Sequence, residues 1–329
     1  MKQNVFDYFM KWTDHFLYYI LTRIPNFRAG RSCDGTGYSN FGTQTEKLES
    51  GRVEMSSLVG KVAVVTGAGR GLGRHVAIRL ASLGIKVALV SRSEAPLQET
   101  ARVISRAGGK AVVLPMDLGL PESLASIKIG VEQWLGEPSI LINAAGIFGP
   151  IDLVKNTDPT AWIETLMVNT VSSYLTSRAF VGGMIKQGWG RIINVTSAAA
   201  LHKPGPINSA YGTSKAALNQ FTRHLAAELE GSGVTANVIH PGDVKTEMWA
   251  TIRDAAEALG PEAKSYLDWA RWVETTGGDD PEKAADLIVD LLSDEAASIN
   301  GQFLWIKDGL QAPIPSWGAL TAEQPWRRS

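Results

Sequence analysis

The chain has 329 residues, 44% of them hydrophobic, enough to bury the core of one large α/β domain. A formal net charge of -1 supplies no basic field for nucleic acid. Its single cysteine, Cys33, excludes an internal disulfide, and its five histidines never fall at metal-ligand spacing with one another, so neither a zinc site nor an oxidising compartment is expected.

Residues 1–55 read as an extension. Phe6, Tyr8, Phe9, Trp12, Phe16, Leu17, Tyr18, Tyr19, Ile20 and Leu21 form an aromatic-rich stretch ahead of a Gly/Ser/Thr/Asn-rich linker near 29–44. Lys11, Asp14 and His15 interrupt the stretch, so no uncharged run approaches the ~20 residues of a transmembrane helix. No continuous apolar segment suits a signal peptide, and Asp7 and Asp14 do not suit a mitochondrial presequence. A soluble, cytoplasmic protein is expected. Interfacial anchoring, self-association, docking on the domain's own surface and a mere start-site extension stay open for this segment.

From residue 61 the apolar run Val62, Ala63, Val64, Val65 predicts a buried parallel strand. It leads into Gly67, Gly69, Arg70, Gly71, Leu72 and Gly73, after which Val76, Leu80 and Leu83 share one helix face. Strand, glycine turn and helix is the context a dinucleotide site needs. Glycines let the backbone approach a pyrophosphate, and free amides at the helix N-terminus stabilise its charge. The spacing Gly67-x-x-x-Gly71-x-Gly73 departs from the usual Gly-x-Gly-x-x-Gly fingerprint.

Further strands are predicted at 87–90, 111–114, 140–143, 192–195, 235–239 and 302–306, with helices at 121–135, 159–185 and 209–230 among those between them. Alternation of this kind, with right-handed crossovers, gives a doubly wound, seven-stranded parallel sheet with a cleft at the carboxyl edge. The second strand runs into Ser91 and Arg92 and meets no carboxylate before Glu94. An Asp there would serve the ribose hydroxyls of NAD, whereas Arg92 and Arg70 can bracket a ribose 2′-phosphate, which favours NADP(H).

The fifth strand ends near Ser197, fourteen residues before Tyr211, and Lys215 follows Tyr211 by one helical turn. On one helix face, the Lys215 ammonium can favour the ionised form of the phenol and lower a pKa that is ~10 in free tyrosine. Such a phenol can protonate a developing alkoxide while the Ser197 hydroxyl bonds the same oxygen. Of the seven tyrosines, only Tyr211 has Lys four residues on.

From Ser57 to Gly309 the chain resembles the short-chain dehydrogenase/reductase family, and further motifs fall in that family's order. The resemblance implies a Rossmann-type catalytic domain at 56–312, with a tail at 313–329. It implies adenine contacts for Asp117 and Leu118, and a turn at Asn143, Ala144 and Gly146 in which Ala144 replaces the usual second Asn. Asn169 matches the asparagine that supports a proton relay with Lys215, which also anchors the ribose. Pro241, Gly242, Val244 and Thr246 match the segment that fixes the nicotinamide. Departures are Ala200, where glycine is frequent, and a slightly long gap from Ser197 to Tyr211. His240, just before Pro241, reads as a packed strand-end histidine.

Residues 247–280 would form the substrate lid, helical in pattern and carrying Met248, Trp249, Ile252, Leu259, Tyr266, Leu267, Trp269 and Trp272. An aromatic lid suits a hydrophobic or ring-bearing ketone; packing against the core or a neighbouring subunit is the other reading. Arg253, Lys264 and Arg271 can alternatively meet an anionic group. The whole implies an NADP(H)-dependent oxidoreductase acting on a small-molecule carbonyl or secondary alcohol, as a homo-oligomer packed through helices such as 209–230. A non-catalytic dinucleotide-binding module and a dehydrogenase working in the oxidative direction are the alternatives.

Overall fold

The structure, a computed structural model, describes residues 55–120, 123–201 and 205–306. The expectations for the aromatic stretch and linker before residue 55, for the first residues of the helix at 121–135 and for the tail at 313–329 lie outside the described residues. The elements run β1 (Val62–Thr66), α1 (Gly71–Ser82), β2 (Lys86–Ser91), α2 (Glu94–Arg106), β3 (Ala111–Pro115), α3 (Ser123–Trp134) and β4 (Ile140–Asn143). There follow α4 (Pro159–Leu166), a π-helical turn (Met167–Val171), α5 (Ser172–Gln187), β5 (Gly190–Val195), α6 (Ser209–Glu228) and β6 (Val234–His240). The chain then forms α7 (Glu247–Leu259), α8 (Lys264–Thr276), α9 (Pro281–Leu291) and β7 (Phe303–Trp305).

All seven strands join one parallel sheet in the order β3-β2-β1-β4-β5-β6-β7. The chain winds outward from β1 in one direction and then from β4 in the other, so a crevice opens where β1 and β4 end. The two-residue period of each strand divides the apolar side chains between two cores. Ala63, Val65, Val87, Leu89, Ile140 and Ile142 pack against α1, α2 and α9. Val62, Val64, Ala88, Val90 and Leu141 pack against α3, α5 and α6. Covered on both faces, β1, β2 and β4 read as unbroken apolar runs, whereas β5 and β6 carry buried Asn194, Thr235 and Asn237 within theirs.

Two long helical predictions are subdivided in the fold. The stretch at 159–185 is broken by the π turn at Met167–Val171, a widening that re-aims side chains and is frequent at functional sites. The stretch at 247–280 is two helices, because Gly260 takes φ 76° and Pro261 follows it. Ile207, just before α6, has φ 66° and is the one non-glycine residue with positive φ among those described. For a β-branched side chain this costs roughly 1–3 kcal/mol and persists only where surrounding contacts enforce it. Among the described residues no helix is long and apolar enough to cross a membrane.

Candidate active site

The crevice floor is close-packed backbone. Gly67 takes φ 67°, and a Cβ there would lie 2.9 Å from Ala145 Cα; a Cβ at Gly73 would lie 2.4 Å from the Gly67 carbonyl oxygen. Only hydrogen fits at either place, so the glycine loop seats directly on the turn after β4. Thr66 locks the contact, its hydroxyl oxygen accepting from the amides of Ala144 (3.1 Å) and Ala145 (3.0 Å). Thr66 was not among the predicted site residues, although it directly precedes the motif. Arg70 takes the N-cap position of α1 in an extended conformation and makes no side-chain cap, so the first amides of the helix are left for an external acceptor.

Around the loop stand the other predicted cofactor residues. Leu72 is half-buried against the core. Gly69 lies against the end of β2, where a Cβ would meet Pro96 Cβ at 3.0 Å and Ser91 Oγ at 3.4 Å. Arg70 is exposed, and Arg92 reaches Glu164 at 3.5 Å with both side chains more than half exposed. Such a surface pair contributes about 0–1 kcal/mol, so it does not commit the guanidinium. Asp117 closes a tight turn by accepting from the Gly119 amide at 2.9 Å, and Leu118 beside it is buried. Asn143 turns its side chain to the α5/α6 face, bonding Asn194 Oδ1 and Thr176 Oγ1 at 2.8 Å each. Gly146 faces both Asn169 Oδ1 and Lys215 Nζ. Gly242 takes φ 81° after Pro241, Val244 bridges to Gly278, and Thr246 starts α7 beside Gly71. A glycine cradle that side chains would fill, with uncapped helix amides above it, fits a dinucleotide.

Next to this cradle four further side chains converge. Ser197 ends the β5 segment and begins a 3-10 turn at Ala198–Ala200; its Oγ accepts from the Ala199 amide at 3.2 Å and its hydroxyl is hydrogen-bonded with the Tyr211 phenol. His240 Nδ1 accepts from the Ala198 amide at 3.3 Å and its ring packs edge-on to Trp305, so it supports the serine turn as a packed histidine. Lys215 is buried, its Nζ 5.6 Å from the Tyr211 ring centroid, and donates to the Val195 carbonyl at 2.9 Å. Asn169, inside the π turn, accepts from the Ile147 amide (2.8 Å) and donates to Ile147 O (2.8 Å) and Ser214 Oγ (2.9 Å). It thereby ties the turn after β4 to α6.

One expectation is corrected. The spacing of Tyr211 and Lys215 led to a lowered phenol pKa, yet burial pushes Tyr211 up to about 12, and the Ser197 hydrogen bond offsets only part of that. Desolvation penalises the charged phenolate, Tyr266 and Asp243 add to that penalty, and only the Ser197 hydrogen bond opposes it. Burial likewise pushes Lys215 down to about 8 from its ordinary 10.5.

The lysine shift has a consequence for stability. Between about pH 8 and 10.5 the unfolded chain holds this proton more tightly than the folded chain, so stability rises with pH through that window. Below it the buried charge opposes folding in full, by something on the order of 3 kcal/mol before its hydrogen bond to Val195 is counted. Lys215→Met is therefore expected to melt above the wild type at pH 7, with the difference shrinking by pH 10. Melting curves at both pH values check this; a difference independent of pH would refute it.

Over the site lie the lid helices. Phe148 stacks on Tyr211 with centroids 4.5 Å apart and meets Tyr266 of α8 edge-on at 5.8 Å. Ile252, Met248 and Trp269 complete this apolar cluster. The lid cations are matched within the lid itself: Arg253 with Asp254, and both Lys264 and Arg271 with Asp268. These exposed pairs are as weak as that of Arg92 with Glu164 and do not commit the cations either.

The short chain dehydrogenase family profile matches residues 61–257. A 3-oxoacyl-acyl-carrier-protein reductase of Pseudomonas aeruginosa is 34% identical over 255 residues, covering 77% of this chain and 98% of its own. Among solved structures, an actinorhodin polyketide ketoreductase variant with NADPH superposes with a TM-score of 0.68 at 26% identity, over 74% of this chain and 95% of that one. An NAD+-bound xylitol dehydrogenase gives 0.70 at 26% identity, over 76% and 98%.

Proposed function

The chain belongs to the short chain dehydrogenase family, and from that premise we propose that it is an NADP(H)-dependent oxidoreductase reducing the carbonyl of a ketone or aldehyde to an alcohol. The observation that carries this is the Ser197 hydroxyl hydrogen-bonded with the Tyr211 phenol beneath an apolar lid, with Lys215 alongside. Two hydroxyl groups aimed at one place can polarise a carbonyl oxygen, and the phenol can give it a proton. Held up at about 12, the phenol carries that proton throughout the neutral range. When bound, the nicotinamide supplies the hydride. Lys215 orders the ribose end of the cradle and Asn169 holds the turn at Ile147 against α6, so that proton resupply and cofactor placement share one rigid corner.

The preference for NADP(H) is supported by Arg70 and Arg92 at the adenosine end and by the absence of a carboxylate between Ser91 and Glu94; the relatives' own cofactors differ, NADPH in one and NAD+ in another. A keto substrate accords with the names of two relatives, a 3-oxoacyl reductase and a polyketide ketoreductase. Homo-oligomer formation is supported by Ile163, Tyr174 and Ile185, exposed apolar side chains on α4 and α5.

The test is the loss of NADPH absorbance when the purified chain meets a panel of ring and open-chain ketones. No turnover on any of them would reject the reading in favour of a non-catalytic binder. Within the same assay, Ser197→Ala is expected to lower kcat about 10²-fold, the loss seen when one donor to a developing oxyanion is removed. A fall of less than about twofold would remove Ser197 from the chemistry.

A further inference from the structure

Two adjacent residues ahead of α6 break local rules together. Ile207 is a buried β-branched residue at φ 66°. Asn208 occupies the N-cap position of α6, where an Asn side chain ordinarily accepts from the helix amides, yet it makes no such cap. Departures of this kind concentrate where function demands them. What they achieve is visible in the lid. Ile207 is clamped between the two lid helices by Ala256 of α7 and Ala263 beside α8, and this fixes the direction in which Asn208 leaves the chain. The freed amide hydrogen-bonds the Tyr266 phenol on α8.

The polar atoms there are incompletely used. Asn208 donates to the Tyr266 oxygen, so the phenol proton remains available to another acceptor. Asn208 Oδ1 is buried and has no hydrogen-bond partner. Tyr266 meets Phe148, which lies flat on Tyr211, and also packs against Ile207, so its phenol and the neighbouring Asn208 stand at the edge of the apolar cluster around Tyr211. A half-buried donor and a buried acceptor side by side are complemented by one group above others, a hydroxyl, which accepts through its oxygen and donates through its hydrogen. The half-exposed aromatic ring of Tyr266, set edge-on to Phe148, favours an unsaturated ring beside it.

We propose that Asn208 and Tyr266 form a second polar subsite that selects a substrate hydroxyl, so that the preferred substrates are planar ring ketones carrying a further ring hydroxyl group. This rests on the carbonyl-reductase reading and deepens it. A ketone lacking the hydroxyl would bury the Tyr266 proton and Asn208 Oδ1 without partners, and sites built to bond a substrate hydroxyl discriminate against analogues that lack it.

The experiment compares tetralone with its ring-hydroxylated analogues in the full chain, in Tyr266→Phe and in Asn208→Ala. Two readouts are taken: kcat/KM with NADPH, and calorimetric affinity of each ketone for the chain saturated with NADP+, where no turnover occurs. The wild type should prefer at least one hydroxylated analogue in both. Tyr266→Phe should lower the ratio of hydroxylated to parent ketone about tenfold, the worth of a lost hydrogen bond in a buried pocket, and Asn208→Ala should lower it in the same direction. A ratio within about twofold of wild type in both variants overturns the subsite, as does an equal loss on both ketones, which marks a packing role alone. If the wild type reduces no ketone, the proposed function fails, while the titrations with NADP+ still decide the subsite.

Discussion

Tyr211→Phe is expected to remove carbonyl reduction almost entirely, by ~10²–10⁴ in kcat, while changing the NADPH dissociation constant by less than about twofold. The substitution deletes one oxygen. The ring keeps its stack on Phe148, and Ser197 Oγ keeps the Ala199 amide, so neither the lid nor the serine turn loses its support. What disappears is the proton donor. Stopped-flow turnover alongside NADPH fluorescence titration separates the two effects, and a variant retaining wild-type turnover would end the assignment of Tyr211 as the acid. The pH dependence adds a second check. Because burial holds the phenol at about 12, reduction, which consumes the protonated form, should hold its rate across neutral pH, whereas alcohol oxidation, which needs the ionised form, should accelerate as pH rises. Equal pH profiles in the two directions would contradict that assignment of the proton.

This high phenol pKa is also the clearest case of what a sequence does not reveal. The spacing of Tyr211 and Lys215 fixes which helix face they share, and α6 places them there. It is silent on how thoroughly the lid and the β5 end exclude water, and desolvation is the larger effect on both groups. The same distinction runs through the fold. Strands β1, β2 and β4 were legible because burial on both faces leaves unbroken apolar runs, and the glycine loop because close backbone approach admits no side chain at Gly67 or Gly73. The π turn around Asn169 has no such signature, since helical periodicity passes through it almost unchanged. Thr66 and Asn143 could be placed on their strands, but their bonding partners, the Ala144 and Ala145 amides and Asn194 with Thr176, come from other strands and helices. Asn208 and Tyr266 lie far apart in the chain and meet only because Gly260 and Pro261 fold the lid into two helices.

Arg92→Asp is expected to invert the cofactor preference, moving the ratio of NADPH to NADH affinity by ~10²–10³. Each charge-assisted hydrogen bond to a phosphate contributes roughly 1.5–3 kcal/mol, so loss of the guanidinium alone lowers NADPH affinity ten- to a hundredfold. The new carboxylate at the end of β2 repels the 2′-phosphate and accepts from the two ribose hydroxyls of NADH, which widens the change. In the wild type Arg92 leans on Glu164 at 3.5 Å in a solvent-exposed pair, and a pair of that kind is too weak to hold the guanidinium away from a bound phosphate. Glu164→Gln should therefore leave NADPH affinity unchanged or slightly raised, since it frees Arg92 and removes a negative charge from its side. Arg70→Ala, at the other flank of the loop, should weaken NADPH and leave NADH nearly unaffected. Fluorescence titrations of both cofactors against the variants read all of this directly. If NADPH affinity is unchanged in both Arg92→Asp and Arg70→Ala, neither arginine meets the 2′-phosphate, and the case for NADP(H) falls with them.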